Sequence, residues 1–238
     1  MSQKVSLTPA EQFVRFALRI GSIELIPQGR PLKNGRVSPY FFNAGLFNTG
    51  EEIGELAGAY SEVIMEHFDT AAGDEQPAYD ILYGPPYKGT ILVPVIAYNQ
   101  YMYGRHGSIH FCSSRKEAKD HGEGGSLIGS PIQSGDRVLI VDDVITDGWT
   151  KKEAVEFIRG FGGIPVGLII AFDRQERGKG ELSAVQEFEK EYGIPVHAAA
   201  TLADLISFLQ KTPAESGDDN IGEVLEKILA YQKQYGVS

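Results

Sequence analysis

At 238 residues, 42% hydrophobic and 23% charged, the chain has the composition of an ordinary soluble globular protein with one substantial core. Its 32 acidic against 22 basic residues give a formal net charge of −10, which argues against a protein whose task is to coat nucleic acid or an anionic membrane. No secretory signal pattern opens the chain, no apolar stretch approaches the roughly 18 residues of a membrane span, and the single cysteine makes no internal disulfide, so a cytoplasmic protein is expected.

Thr8-Pro9-Ala10-Glu11 reads as a helix start, with Phe13, Phe16, Ala17 and Ile20 recurring at helical spacing up to Gly21. Two extended pieces, Ile23 to Ile26 and Val37 to Asn43, flank the polar turn KNGR and predict a hairpin. Residues 1–48 therefore form a small helix-plus-hairpin hood. From Glu51 helices and strands alternate: a helix through Phe68, the strand YDILYG, and a helix after Lys88 that Pro94 must begin or kink. A strand at 109–113 leads into a charged, glycine-rich loop over 115–125. The strand VLIV, a helix from about Thr150, the strand VGLIIAF, a helix over 182–191 and the strand PVHAAA follow. This order predicts an α/β core, residues 49–210, with a mainly parallel sheet covered on both faces through right-handed crossovers. A short helix at Leu202 to Gln210 ends the core, and residues 211–238 add a helical extension marked by Ile221, Val224, Leu225, Ile228 and Leu229.

In a parallel sheet, ligands gather at the carboxyl ends of the strands. VLIV ends at Asp142 and Asp143, so two carboxylates lie at that edge. A turn with a helix cap nearby accounts for such a pair equally well in isolation. The sequel favours a site: Thr146 to Thr150 enters a helix whose free N–H groups can receive a phosphate. Acceptors for hydroxyls beside donors for a phosphate suit a phosphorylated sugar. No GxxxxGK loop or dinucleotide-binding glycine fingerprint is present. Arg115, Lys116, Lys119 and His121 crowd the glycine-rich stretch SSRKEAKDHGEGG. Alone that reads as a solvated surface loop, but a cationic lid of this kind can close over a polyanion and exclude water.

VLIVDDVITDG resembles the phosphoribosyl-diphosphate motif of the type I phosphoribosyltransferases. Together with LKNGRVSPYFFNAG, YGPPYKG, RKEAKDHGEGG and FDRQERG, it is similar to the orotate phosphoribosyltransferase family from about residue 10 to 210. The resemblance implies the type I phosphoribosyltransferase fold and transfer of ribose 5-phosphate from phosphoribosyl diphosphate to orotate, with Mg²⁺ arriving mainly on the substrate's diphosphate. It implies that Asp142 and Asp143 hold the ribose diol, and that Thr146, Asp147, Gly148, Trp149 and Thr150 bind the 5-phosphate. Lys88, Arg115, Lys116, Lys119 and His121 would surround the diphosphate, with Lys119, His121 and Asp143 nearest the chemistry. Orotate would meet Lys33, Phe41, Phe42, Thr146 and Arg174, the arginine gripping its carboxylate through parallel hydrogen bonds. The family's lid reaches the other subunit's site, so a homodimer is implied, with neither nucleic acid nor membrane as partner.

Where the family reads TAGT, this chain reads Thr146-Asp147-Gly148-Trp149-Thr150, which adds a charge beside the phosphate and removes a hydroxyl. Asp147 turned outward as a helix cap reconciles the two. A phosphoribosyltransferase for another base, or a noncatalytic sensor of phosphoribosyl diphosphate, are the alternatives. The sensor would call for a basic extension or a lost lid, and this chain has neither feature. Cys112 reads as a buried, inert thiol, and His67, His106, His110 and His197 have no metal-like spacing.

Overall fold

The first helix begins where a reciprocal cap closes. The Glu11 amide donates to the Thr8 hydroxyl at 3.1 Å, and the Thr8 amide donates to the Glu11 carboxylate at 3.0 Å, at the start of α1 (Pro9–Arg19). The computed structural model describes residues 6–69, 77–104, 109–119, 125–145, 149–178, 180–212 and 221–237. Phe13, Phe16 and Ala17 of α1 are buried, as their spacing predicts.

The hairpin follows as β1 (Ile23–Pro31) and β2 (Val37–Phe42), paired antiparallel. The first strand runs beyond the expected Ile26. Pro27 and Gly29 mark an irregularity, after which pairing resumes at Arg30 with Ser38 and Pro31 with Val37. Turn-forming residues here make a bulge, not an end.

Next, α2 (Gly50–His67) leads into a six-stranded sheet made of β3 (Ile81–Gly84), β4 (His110–Lys119), β5 (Gly125–Gly129), β6 (Arg137–Val141), β7 (Ile164–Asp173) and β8 (Val196–Thr201). Its order is β5-β4-β3-β6-β7-β8, parallel except for the edge strand β5. The helices α3 (Lys88–Met102), α4 (Trp149–Gly160), α5 (Ala184–Tyr192), α6 (Leu202–Lys211) and α7 (Ile221–Tyr235) complete the chain. Pro94 lies inside α3 and does not begin it.

Period-two alternation sorts the β6 side chains between two cores. Leu139 and Val141 join α1, α2, α6 and α7 on one face, while Val138 and Ile140 join Ala154, Val155, Ile158 and Phe188 of α4 and α5 on the other. The sheet is therefore apolar on both sides, as a parallel sheet with helical crossovers must be.

One expectation fails in the middle of the chain. Arg115 to Lys119 belong to β4 and not to a loop, and β5, which the sequence reading lacks, pairs with β4 up to Ser114 opposite Leu127 and again at Lys119 opposite Gly125. The register between the two strands is irregular from Ser114 to Lys119, which lets a charged stretch remain extended beside the edge strand.

Topology fixes where a ligand crevice opens. From β3 the chain moves outward to β4 and β5, then returns to β6 on the other side of β3. The elements leaving β3 and β6 diverge, and the gap lies at their carboxyl ends. There Gly84 meets Gly89 of α3 so closely that a Cβ on Gly84 would lie 2.1 Å from the Gly89 carbonyl oxygen. A Gly84→Ala variant should therefore lose about 2 kcal/mol or more of stability. Chemical denaturation that shows an unchanged midpoint would show that the β3–α3 junction relaxes freely.

Candidate active site

Asp142 and Asp143 follow β6 directly and remain tied to β7. The Asp142 amide donates to the Ile169 carbonyl at 3.0 Å, and the Ala171 amide donates to the Asp143 carbonyl at 2.8 Å. The two residues are only 5% and 9% exposed, so their charges need partners. Tyr60, fully buried on α2, donates its hydroxyl to the Asp142 carbonyl at 2.6 Å. The Asp143 amide donates to Asp142 Oδ1 at 2.9 Å, and Lys88 Nζ forms an ion pair with Asp143 Oδ2. Burial, with the two carboxylates beside it, pushes the Tyr60 phenol well above its ordinary value and keeps it a donor.

Lys88 is the first residue of α3, whose first turn has no side-chain cap. Its ammonium has three donors and its side chain is half exposed, so pairing with Asp143 leaves capacity for a ligand anion. A cavity of about 510 Å³ opens beside Lys88 and Asp143, with Asn48, Thr49, Ile53 and Ile91 on its walls. That volume suits a small molecule.

Arg115 stands two residues past the Gly84–Ser113 pairing, and its Nε donates to the Leu127 carbonyl of β5 at 3.3 Å. It therefore shares the sheet edge with Lys88 and Asp143. Lys116 and Lys119 continue β4, while Trp149 and Thr150 open α4; for these four the backbone alone is described. His121, Thr146, Asp147 and Gly148 lie outside the described residues.

The hood reaches the same edge at β7. Phe42 stacks on Phe172 with ring centroids 5.4 Å apart, and Tyr40 meets Phe172 edge-on at 6.2 Å. Phe42 is 8% exposed and belongs to the core. Phe41 points to the opposite face of β2, where the Arg30 guanidinium covers its ring at 4.1 Å. The aromatic pair thus does not offer two ring faces to one ligand. Arg174, just beyond β7, donates from Nη2 to Ser38 Oγ at 2.9 Å, pairs with Glu176, and lies 4.3 Å above the Tyr40 ring. Lys33 sits in the exposed hairpin turn.

Lys88, Asp142 and Asp143 are thus brought together, and Arg174 meets the hood strand that bears Phe41 and Phe42. Sequence reasoning misses Tyr60, Ser38, Tyr40 and Glu176. Ser38, Tyr40 and Glu176 stand inside quoted motifs, whereas nothing local marks Tyr60. Cys112 is the buried thiol expected, and burial pushes it up to about 12. His67 and His197 stack with ring centroids 3.8 Å apart, away from these residues in sequence and on α2 and β8.

Comparisons with known proteins show the family and the fold. Residues 51–197 match the model of the phosphoribosyl transferase domain. The chain is 46% identical over 233 residues to the orotate phosphoribosyltransferase of Thioalkalivibrio sulfidiphilus, covering 97% of this chain and 99% of that one. It is 44% identical over 229 residues to the orotate phosphoribosyltransferase of Cronobacter sakazakii, covering 95% and 97%. The crystal structure of orotate phosphoribosyltransferase from Francisella tularensis superposes with a TM-score of 0.78 at 30% identity, covering 94% of this chain and 99% of that one. With Asp142, Asp143 and Lys88 at the divergence of β3 and β6 in this mixed, mostly parallel sheet, the chain belongs to the orotate phosphoribosyltransferase family and has the type I phosphoribosyltransferase fold.

Proposed function

We propose that the protein transfers ribose 5-phosphate from phosphoribosyl diphosphate to orotate, releasing diphosphate and forming orotidine 5′-monophosphate in pyrimidine synthesis. The observation that carries this reading is the juxtaposition of the buried Asp142–Asp143 pair with Lys88 at the sheet's divergence, in a chain similar to orotate-specific enzymes along nearly its whole length. The two carboxylates accept from the ribose hydroxyls, and Thr146 to Thr150 receive the 5-phosphate. Lys88, Arg115, Lys116, Lys119 and His121 face the diphosphate, and Arg174 grips the orotate carboxylate beside β2.

The bond between the sugar carbon and the diphosphate oxygen breaks as a deprotonated ring nitrogen of orotate bonds to that carbon. Positive charge grows on the sugar while negative charge grows on the leaving oxygen. Preorganised cations stabilise the leaving group, and Lys119 or His121 can supply a proton to it. Asp143, close to the sugar in this arrangement, favours the cationic ring electrostatically.

Among the described residues no three His, Cys, Asp or Glu side chains gather as a metal cage. Mg²⁺ suits this donor set as a passenger on the diphosphate, because it keeps water and phosphate oxygens and asks the protein for one or two carboxylates. Asp142 and Asp143 are the carboxylates that would hold it, through water. When bound, the ion neutralises charge on the departing diphosphate.

A homodimer belongs to the same proposal. Ile91, Tyr98, Tyr101 and Met102 follow one side of α3 and are 61%, 62%, 61% and 60% exposed. An apolar stripe of this kind on a folded domain calls for a partner surface, and a second copy of the chain is the proposed one. A cytoplasmic location completes the reading.

Purified protein given orotate, phosphoribosyl diphosphate and Mg²⁺ should consume orotate absorbance; turnover of uracil or a purine without loss of orotate would reject the assigned base. Replacing Lys119 by Ala should lower kcat roughly 10²-fold where chemistry limits the rate, and an unchanged kcat removes Lys119 from the mechanism. Tyr98→Glu combined with Tyr101→Glu should convert the dimer to monomer in sedimentation, and an intact dimer would place the interface elsewhere. Mixing Lys119→Ala subunits with subunits bearing Asp142→Asn and Asp143→Asn should restore one working site per heterodimer if the lid acts in trans. No recovery after demonstrated subunit exchange would put the lid in cis.

A further inference from the structure

The segment that follows β7 is held in place by the opposite end of the chain. Gln175 adopts φ 52°, its amide donates to Asp173 Oδ1 at 2.8 Å, and its side-chain oxygen accepts from the Ala203 amide at 3.0 Å. The end of α7 runs beside it. The Arg177 amide donates to the Tyr235 carbonyl at 2.8 Å, the Val237 amide donates to the Gln175 carbonyl at 2.9 Å, and Glu176 forms an antiparallel bridge with Gly236.

Glu176 is the centre of this clamp, with its side chain 9% exposed. Oε1 accepts from the Tyr40 hydroxyl at 3.1 Å and pairs with Arg174. Oε2 accepts from the Tyr231 hydroxyl at 3.0 Å and from Arg36 Nη1 at 3.4 Å. Arg36 also donates to the Gly178 carbonyl at 3.3 Å and lies 4.6 Å over the Tyr235 ring. Burial pushes the Tyr231 phenol up to about 12, so it remains a donor across the working range.

The charges are informative. Two guanidinium groups, of Arg36 and Arg174, meet the one Glu176 carboxylate. Glu176 and Ser38 take donors from one end of the Arg174 guanidinium, and the Tyr40 ring lies against its face. The plane of the guanidinium is thereby fixed, and a guanidinium has five donors in a rigid fork, so donors remain for a planar carboxylate.

We infer that Glu176, anchored by Tyr231 of the C-terminal helix, is a positioning residue for base recognition: it orients Arg174 and tunes the local charge for a ligand that bears one carboxylate. This rests on the proposed pairing of Arg174 with orotate. The helix α7 is then part of the specificity apparatus and not only a cover for the core. Orotate differs from uracil by that carboxylate, so the cluster is where the two are distinguished.

The test is steady-state kinetics on the full-length enzyme with each substrate varied, for Arg174→Ala, Glu176→Gln, Tyr231→Phe and the Arg174→Ala/Glu176→Gln double variant. Arg174→Ala should raise KM for orotate by roughly 100-fold, and Glu176→Gln by roughly tenfold. Tyr231→Phe should raise it about threefold, with KM for phosphoribosyl diphosphate within about twofold of wild type in every variant. In the Arg174→Ala background Glu176→Gln should add nothing, because it acts through the missing arginine. If Arg174→Ala weakens orotate and Glu176→Gln does not, the inference is overturned while the Arg174 assignment stands. Multiplying effects in the double variant, or KM values for both substrates rising together, would reduce Glu176 to a general support and equally overturn it. If Arg174→Ala leaves orotate unaffected, the assignment and the inference fall together. Should Glu176→Gln not fold, Tyr231→Phe decides, since it removes one hydroxyl only, and an unchanged KM for orotate rejects the coupling.

Discussion

Two carboxylates at the end of an apolar strand are expensive to bury, and the surroundings of Asp142 and Asp143 are arranged around that cost. Their backbone stays in register with β7, Tyr60 comes up from α2 to the Asp142 carbonyl, and Lys88 meets the Asp143 carboxylate. Lys88 can do so because α3 starts against the end of β3, and that approach is open only to glycine at positions 84 and 89. The acidic pair, the lysine and the close junction form one constraint. Removing the lysine alone would leave a buried charge unbalanced, which explains why a cation stands beside the acidic pair.

The opposite end of the edge shows the same logic with signs reversed. Arg174 and Arg36 are cations in a largely buried setting; Glu176 pairs with both, and two neutral phenols donate to that carboxylate. In the proposed function each end lacks what the substrates bring: hydroxyl donors for the aspartates, a carboxylate for the arginines. Both ends are preorganised by interactions that do not involve ligand, so binding need not reorder these side chains.

Much of the core is legible in the sequence because its signals are local. The Thr8–Glu11 cap, the apolar run of Val138 to Val141 and the carboxylates after it follow from spacing and position alone. The orientation of Phe41 and Phe42 was also within reach, since neighbours in a strand face opposite ways. Arg115 to Lys119 read as loop because charge density carries no strand signal in a one-dimensional pattern, and the β5 pairings that flank the segment, at Ser114 and Lys119, come from later in the chain. Tyr60 and Tyr231 are of another kind. Their partners lie 82 and 55 residues away, and no periodicity encodes such a pairing.

The extent of the family match gives that distinction a functional sense. The phosphoribosyl transferase domain model spans residues 51–197, which includes Lys88, Asp142, Asp143 and Arg174 but neither the hood nor α7. Elements outside the match meet this corner: Ser38 and Tyr40 of β2 touch Arg174, and Tyr231 of α7 donates to its partner Glu176. In the proposed function, a sheet edge inside the match carries the sugar chemistry while elements outside it, joined through a single buried carboxylate, set the arginine that takes the base.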